Sequence, residues 1–245
     1  MRDEYYIYLD IGEGGCMAHV LGKLLGCNRT ARNRNRALSK IREEIPTYIQ
    51  WLRNHGERIK PVQFDQITIV IREEVLNQDP WIAGGTNALF TPELQAATKS
   101  EIEKCIQRMI WNREDLLSLV QGLSKPLIKK RPSGEPRSIA NTISHIADAE
   151  LWYISRLNRD MRKESRLLPS NPLERLAQAR EITCQALLSL TPEERRKIYT
   201  PKIWCSPRQK SLKERWTAKK VLRRLLEHER QHTQYIERLL EKNLV

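Results

Sequence analysis

The apolar positions of the chain change their period partway along, and the change divides it. Between Asn33 and His55, Leu38, Ile41, Ile45, Ile49 and Leu52 return at intervals of three and four. That spacing predicts a helix with one buried face, and Gly56 supplies a stop. Pro46 lies inside this run and predicts a kink or a division into two pieces. The flanking segments have the shorter period of strands. "YYIYLDI" is a brief run rich in Tyr and Ile, "GEGG" is a turn, and "CMAHVLGKLLGC" returns as a second strand to make a hairpin. "QITIVI" alternates Ile67, Ile69 and Ile71 with Thr68 and Val70, the pattern of a strand with one buried face. Residues 1–78 therefore read as strand, strand, helix, strand.

A boundary follows over residues 79–92, marked by Pro80, Gly84 and Gly85. Thr91, Pro92 and Glu93 then have the character of a helix cap and first turn. From residue 93 to 245 four long helical patterns appear and no strand. The first is "ELQAATKSEIEKCIQRMIWNREDLLSLVQGL", one helix with a break or two helices, ending near Gly122. The second, "IANTISHIADAELWYISRL", follows the cap residue Ser138; the third, "PLERLAQAREITCQALLSL", opens on Pro172; the fourth runs from Thr217 through "AKKVLRRLLEHERQHTQYIERLLEK". The long polar connection "TPEERRKIYTPKIWCSPRQKSLKERW" reads as irregular, and a loop of that length in a compact domain is often functional. The fold class is α+β: a small N-terminal ββαβ domain at 1–78, a linker at 79–92, and an all-α four-helix bundle at 93–245.

Composition narrows the picture. Charged residues make up 30% of the 245 and aromatics 6%, and no apolar run is long enough to span a bilayer, so neither a disordered nor a membrane protein is expected. "MRDEYYIYLD" has early acids and no apolar core of a signal peptide, which predicts a cytoplasmic protein. Cys16, Cys27, Cys105, Cys184 and Cys205 form no CxxC pair and read as scattered reduced thiols. The net charge of +13 is lopsided: residues 1–90 hold 12 Lys+Arg against 11 Asp+Glu, and residues 91–245 hold 31 against 19. The excess on the second part is assigned to solvated helix faces, with the approach of an anionic substrate as the alternative. "NRTARNRNR", at residues 28–36, reads as a basic loop and helix start; it suits a phosphate backbone but has no aromatic on which a base would stack, so nucleic-acid binding is expected to be weak.

The chemistry concentrates in the last helix. "LLEHERQHTQYI" holds His228, Glu229 and His232 in the spelling HExxH, which on a helix places two imidazoles on one face and is the zinc signature of many metalloproteases. Such proteases find a third ligand downstream, yet Tyr235 and Arg238 stand where a Gly and a His are needed. The third ligand must come from upstream. Val221, Leu225, His228, His232, Tyr235 and Leu239 form one stripe, so both His face the core. On the second helix Thr142, His145, Ala149 and Trp152 share a face, which makes His145 the upstream candidate; His19 and His55 have no partner at ligand spacing.

Two resemblances follow from these residues. Over residues 4–75, Gly14 and Gly15, the segment "AHVLGKLLGC" with Leu24, Gly26 and Cys27, and then Ala37 and Leu38 resemble the HicB-like antitoxin domain, although Arg36 stands where that family has an acid. No helix-turn-helix or ribbon-helix-helix pattern follows it, so the resemblance does not extend to operator binding. Over residues 95–243, "SIANTISHIADAELWYISRL" with "WTAKKVLRRLLEHERQHTQYI" is similar to the DinB-like superfamily of metal-binding four-helix bundles, carried by "HIADAE", the Trp and Thr opening the last helix, and "HERQHT". The resemblance implies one ligand from the second helix and two from the last: His145, His228 and His232. Glu229, about 100° around the helix from His228, is then free of any protease role. Three neutral imidazoles leave coordination positions open, the pattern of a catalytic site, and Zn, Ni, Fe and Mn all suit them. Asp148 and Glu150 are available either to orient a ligand imidazole or to pair with Arg.

What the resemblance implies for function is a metal-dependent enzyme, a thiol-dependent S-transferase or isomerase acting on a small molecule with a low-molecular-weight thiol. The alternative is a non-enzymatic binding or regulatory protein, in which the HicB-like domain engages a partner protein or RNA and the metal is structural. A homodimer is compatible with either.

Overall fold

The computed structural model describes residues 3–80, 88–200 and 214–243, which group into two compact units, Met1–Leu94 and Gln95–Val245. Strands β1 (Asp3–Glu13), β2 (Gly15–Val20), β3 (Asn28–Ala31) and β4 (Ile67–Pro80) make the four-stranded sheet of the first unit, in the order β3-β2-β1-β4. Strands β1 (Asp3–Glu13) and β2 (Gly15–Val20) form an antiparallel hairpin about Gly14, whose φ of +84° is the left-handed conformation that a glycine adopts without strain. β4 (Ile67–Pro80) lies parallel to β1, starting from Asp3 opposite Ile67. Helix α1 (Arg34–Asn54) packs on β2 and β3 through Ala37, Ile41, Ile45, Tyr48, Ile49 and Leu52, all buried.

Three details depart from the sequence reading. "CMAHVLGKLLGC" is not one strand: β2 ends at Val20, a 3-10 turn takes Gly22–Leu24, and β3 (Asn28–Ala31) returns along β2 with His19 opposite Asn28. The head of the basic segment is thus an edge strand rather than a loop, because its backbone completes the outer side of β2. α1 is not divided at Pro46. The proline costs about 3 kcal/mol, whereas burying each large apolar side chain returns about 1.5–3 kcal/mol, and α1 buries five of them besides Ala37. Third, Thr91, Pro92 and Glu93 do not open a long helix but make the 3-10 turn Thr91–Leu94, in which the Glu93 carboxylate accepts the Phe90 N–H at 2.9 Å. Phe90 and Ala88 are fully buried in the first unit, with the Phe90 ring 5.4 Å from both Tyr8 and His19. Gly84 and Gly85 lie outside the described residues.

The second unit is built on four long helices. α2 (Lys99–Val120) starts at a capping box in which Thr98 accepts the Glu101 N–H and Glu101 accepts the Thr98 N–H. α4 (Ile139–Ser155) is capped by Ser138, α6 (Pro172–Leu188) by Asn171, and α8 (Ala218–Asn243) by Thr217, which accepts the Lys220 N–H at 3.2 Å. Short helices α3 (Lys125–Lys129), α5 (Arg162–Leu167) and α7 (Pro192–Arg196) lie in the connections. The connection after α6 is therefore not wholly irregular. It opens with α7, and Tyr199 and Trp216 exchange backbone hydrogen bonds at 2.8 Å; residues 201–213, with Cys205, lie outside the described residues. α4 packs against α6 and α8, and α2 against both of these, around Leu116, Ile143, Ile146, Leu151, Leu176, Ile236 and Leu239. Among the described residues no helix is long and apolar enough to cross a membrane.

The positive charge is not confined to solvated faces. Lys220, Arg223 and Arg224 have no exposed surface, and Arg108, Arg113 and Arg156 have almost none. Lys220 and Arg224 are compensated locally: Lys220 Nζ lies 4.2 Å from the centre of the Trp216 ring and donates to the Arg215 carbonyl, and Arg224 donates to Glu227 and to the Tyr153 hydroxyl.

Candidate metal centre

His145 sits two turns into α4, its place fixed by the Ser138 cap. His228 and His232 stand one turn apart on α8 and face it. The Nε2 atom of His228 is 3.2 Å from that of His145 and 3.2 Å from that of His232, and one ligand nitrogen from each ring lies within 4.8 Å of the others. Two imidazole nitrogens bound at ~2.0–2.1 Å to one tetrahedral ion are separated by roughly 3.4 Å, close to the spacing of His228 from each neighbour, while the set as a whole lies within 4.8 Å and would draw together on a shared cation. His228 is buried, while His145 and His232 are half-buried, so the site is closed at the His228 end. The edge of the Tyr153 ring closes that end, 5.6 Å from the His228 ring, and its hydroxyl accepts from Arg224 at 3.2 Å.

All three imidazoles are held neutral. Burial pushes the pKa of His228 well below its ordinary value, and His232, Arg224, His145 and Arg137 add to the effect. His232 is pulled down to about 3, mainly by burial and then by His145, Arg137 and Arg224. His145 is lowered by burial and Arg137, against an opposing pull from Asp148. Neutral imidazoles keep the lone pairs that a metal needs. A pH dependence follows for the metal-free protein. Below about 6.5 the unfolded chain takes up protons on these three side chains that the folded bundle refuses. Stability from this source is therefore complete at pH 7 and falls steadily on acidification, down to the region of pH 3 for His232. Denaturant midpoints of chelated protein should be lower at pH 5 than at pH 7.5; equal or higher midpoints at pH 5 would contradict the lowered values.

Glu229 does not reach the triad. Its carboxylate accepts from Arg113 Nε of α2 at 2.6 Å and from Arg180 of α6, and both arginines also donate to Glu150 of α4, Arg180 at 2.8 and 3.1 Å. One charged residue from each long helix thus meets in a buried quartet of two cations and two anions. Glu150 is spoken for here. Asp148 pairs with Arg175 at 2.9 Å on the surface, so both carboxylates weighed as supports for an imidazole are engaged by Arg instead. His19 is buried in β2 beside Phe90, and His55 ends α1 beside Trp51. The quartet was not anticipated from the sequence, yet it left a signal. Arg113 falls between Met109 and Leu116 on the buried stripe of α2, and Arg180 four residues after Leu176 on that of α6.

The arrangement defines a class: a four-helix bundle presenting three neutral imidazoles from two of its helices. A family model described as the DinB superfamily matches residues 108–236, just over half of the chain and inclusive of all three His. The chain belongs to that superfamily. The match leaves residues 1–107 outside it. Comparison with curated proteins and with solved structures finds no match.

Proposed function

We propose that the protein is a metal-dependent enzyme of the cytoplasm, in which His145, His228 and His232 hold one divalent transition metal, and that it transfers or rearranges a group on a small molecule with the help of a low-molecular-weight thiol. The observation that carries this reading is the convergence of three neutral imidazoles with no carboxylate or thiolate completing the set among the described residues. Zn, Ni, Fe and Mn all accept such ligands. A metal held there would supply Lewis acidity and would bring the pKa of a water or thiol nearer neutrality. The chain's own residues shape the rest. Tyr153 and the surrounding core keep water from the His228 end, and the positive fields of Arg137 and Arg224 at the triad favour a thiolate or another anion.

Elemental analysis of the purified chain should find about one transition metal per molecule, and turnover of electrophile panels should require both that metal and an added small thiol. A chain that neither retains nor takes up a transition metal would refute the reading.

A second reading rests on the first unit, which folds on a core of its own outside the family match. Its resemblance to the HicB-like antitoxin domain makes it a binding module for a partner protein or RNA, with the metal as scaffold. The basic segment gives it little support. Arg34, though exposed, is paired with Glu74 at 2.6 Å, and Arg29 is paired with Glu44; Arg32 and Arg36 are the other exposed cations of residues 28–36. Nucleic-acid binding should therefore be weak and lose about 0.7–0.9 of salt slope per phosphate contact removed by R32A, R34A and R36A. Tight binding at physiological salt that is lost in this triple variant but kept in His145→Ala would put the second reading first.

A further inference from the structure

The buried quartet lies beside the triad without touching it, and the same helices carry both. Glu229 is the neighbour of His228 on α8, and Glu150 follows His145 by five residues on α4. From these positions, and from the hydrogen bonds that tie them to Arg113 and Arg180, we infer that the quartet sets the rotation of α8 against α4, and that Glu229, Glu150, Arg113 and Arg180 are positioning residues of the metal centre. This inference rests on the metal-centre reading above.

The geometry gives the reason. Side chains end about 5–6 Å from a helix axis, and metal–ligand distances tolerate about 0.2 Å. Holding His228 and His232 on one ion with His145 thus requires the rotation of α8 to be right within about 2°. Apolar packing tolerates repacking at constant volume and constrains rotation loosely. A carboxylate gripped from two sides does not. Glu229 accepts Arg113 on one oxygen and Arg180 on the other, so a turn of α8 in either direction lengthens one of the two bonds. The arginines are anchored in turn: Arg113 donates to the Leu176 carbonyl at 2.9 Å, and Arg180 to the Met109 carbonyl, so each guanidinium is fixed to a helix other than its own. Glu150 then ties α4, the helix of His145, to the same two cations.

The test uses the full chain with cobalt(II) as the probe, whose visible absorption reports ligand geometry. Glu229→Gln keeps size and loses the charge, and Arg180→Lys keeps a cation and loses the fork. Both should weaken cobalt binding about 10–100-fold, the range seen when supporting groups of a metal site are removed, and shift the absorption bands. Glu229→Asp, which retains the charge one methylene further back, should fall between these and the wild type. Val120→Ala opens a cavity in the same core two turns along α2 from Arg113; it should lower the melting temperature and leave affinity and spectrum unchanged. Wild-type affinity and spectrum in both Glu229→Gln and Arg180→Lys, whatever their melting temperatures, would overturn the positioning role while leaving the metal centre standing. Failure of the wild-type chain to bind cobalt would instead remove the metal-centre reading on which the inference rests.

Discussion

His228→Ala should purify without bound transition metal and should melt at the same temperature with and without chelator. His228 is the deepest of the three imidazoles and lies between the other two, 3.2 Å from each. Its loss leaves His145 and His232, both half-buried, with no central nitrogen between them. Removing a ligand outright should cost more than the roughly 10–100-fold that removal of a supporting group costs. In the wild type, a metal held by the three His would bind the folded bundle and not their dispersed counterparts in the unfolded chain. At a free concentration of 100 times Kd that linkage contributes about 2.7 kcal/mol. For a unit of this size it corresponds to a chelation-induced drop in Tm of roughly 5–10 °C. Unchanged metal content in His228→Ala, or a chelation shift equal to the wild type's, would show that the three imidazoles meet for another reason, such as a hydrogen-bonded cluster.

The legible parts of this protein are those governed by short-range pattern. The helices of the second unit were readable because apolar spacing and start signals agree: Ser138, Pro172 and Thr217 each stand where the chain enters a long helix. His228 and His232 were readable because one helix fixes their spacing. His145 required a further step, since nothing local says which face of α4 meets α8. Illegible parts depended on partners distant in sequence. β3 is an edge strand only because β2 needs a neighbour, and its own residues, Asn28 to Ala31, look like a loop. Lys220, Arg223 and Arg224 look solvated in "AKKVLRR" and are enclosed in the fold. Glu229 looks like the general base of a protease and is a strut in the core. Its role is decided by Arg113 and Arg180, 116 and 49 residues away.

The second large effect is on stability and comes from that strut. Glu150→Ala should destabilise the second unit by about 3–5 kcal/mol at pH 7, because it strands cationic charge among buried neighbours. Against the 5–15 kcal/mol that holds a typical domain, such a loss takes a large share. Glu229 is held ionised at pH 7. Burial by itself would raise the pKa of Glu229, but Arg180 and Arg113 outweigh it and hold the carboxyl below its usual range, so its contribution is present above about pH 4.3 and is lost as the pH falls through the lowered value. The surface pair offers the contrast. Asp148→Asn breaks an ion pair whose carboxylate is 49% exposed, and it should cost less than about 1 kcal/mol. Guanidinium denaturation of the two variants, monitored on the helical signal, separates the cases. Adding Arg113→Ala to Glu150→Ala should cost less than the sum of the single changes, because the second substitution removes a charge that the first left without its partner. Strict additivity, or a Glu150→Ala cost no larger than that of Asp148→Asn, would mean that water reaches the quartet and that the four helices are held by their apolar stripes alone.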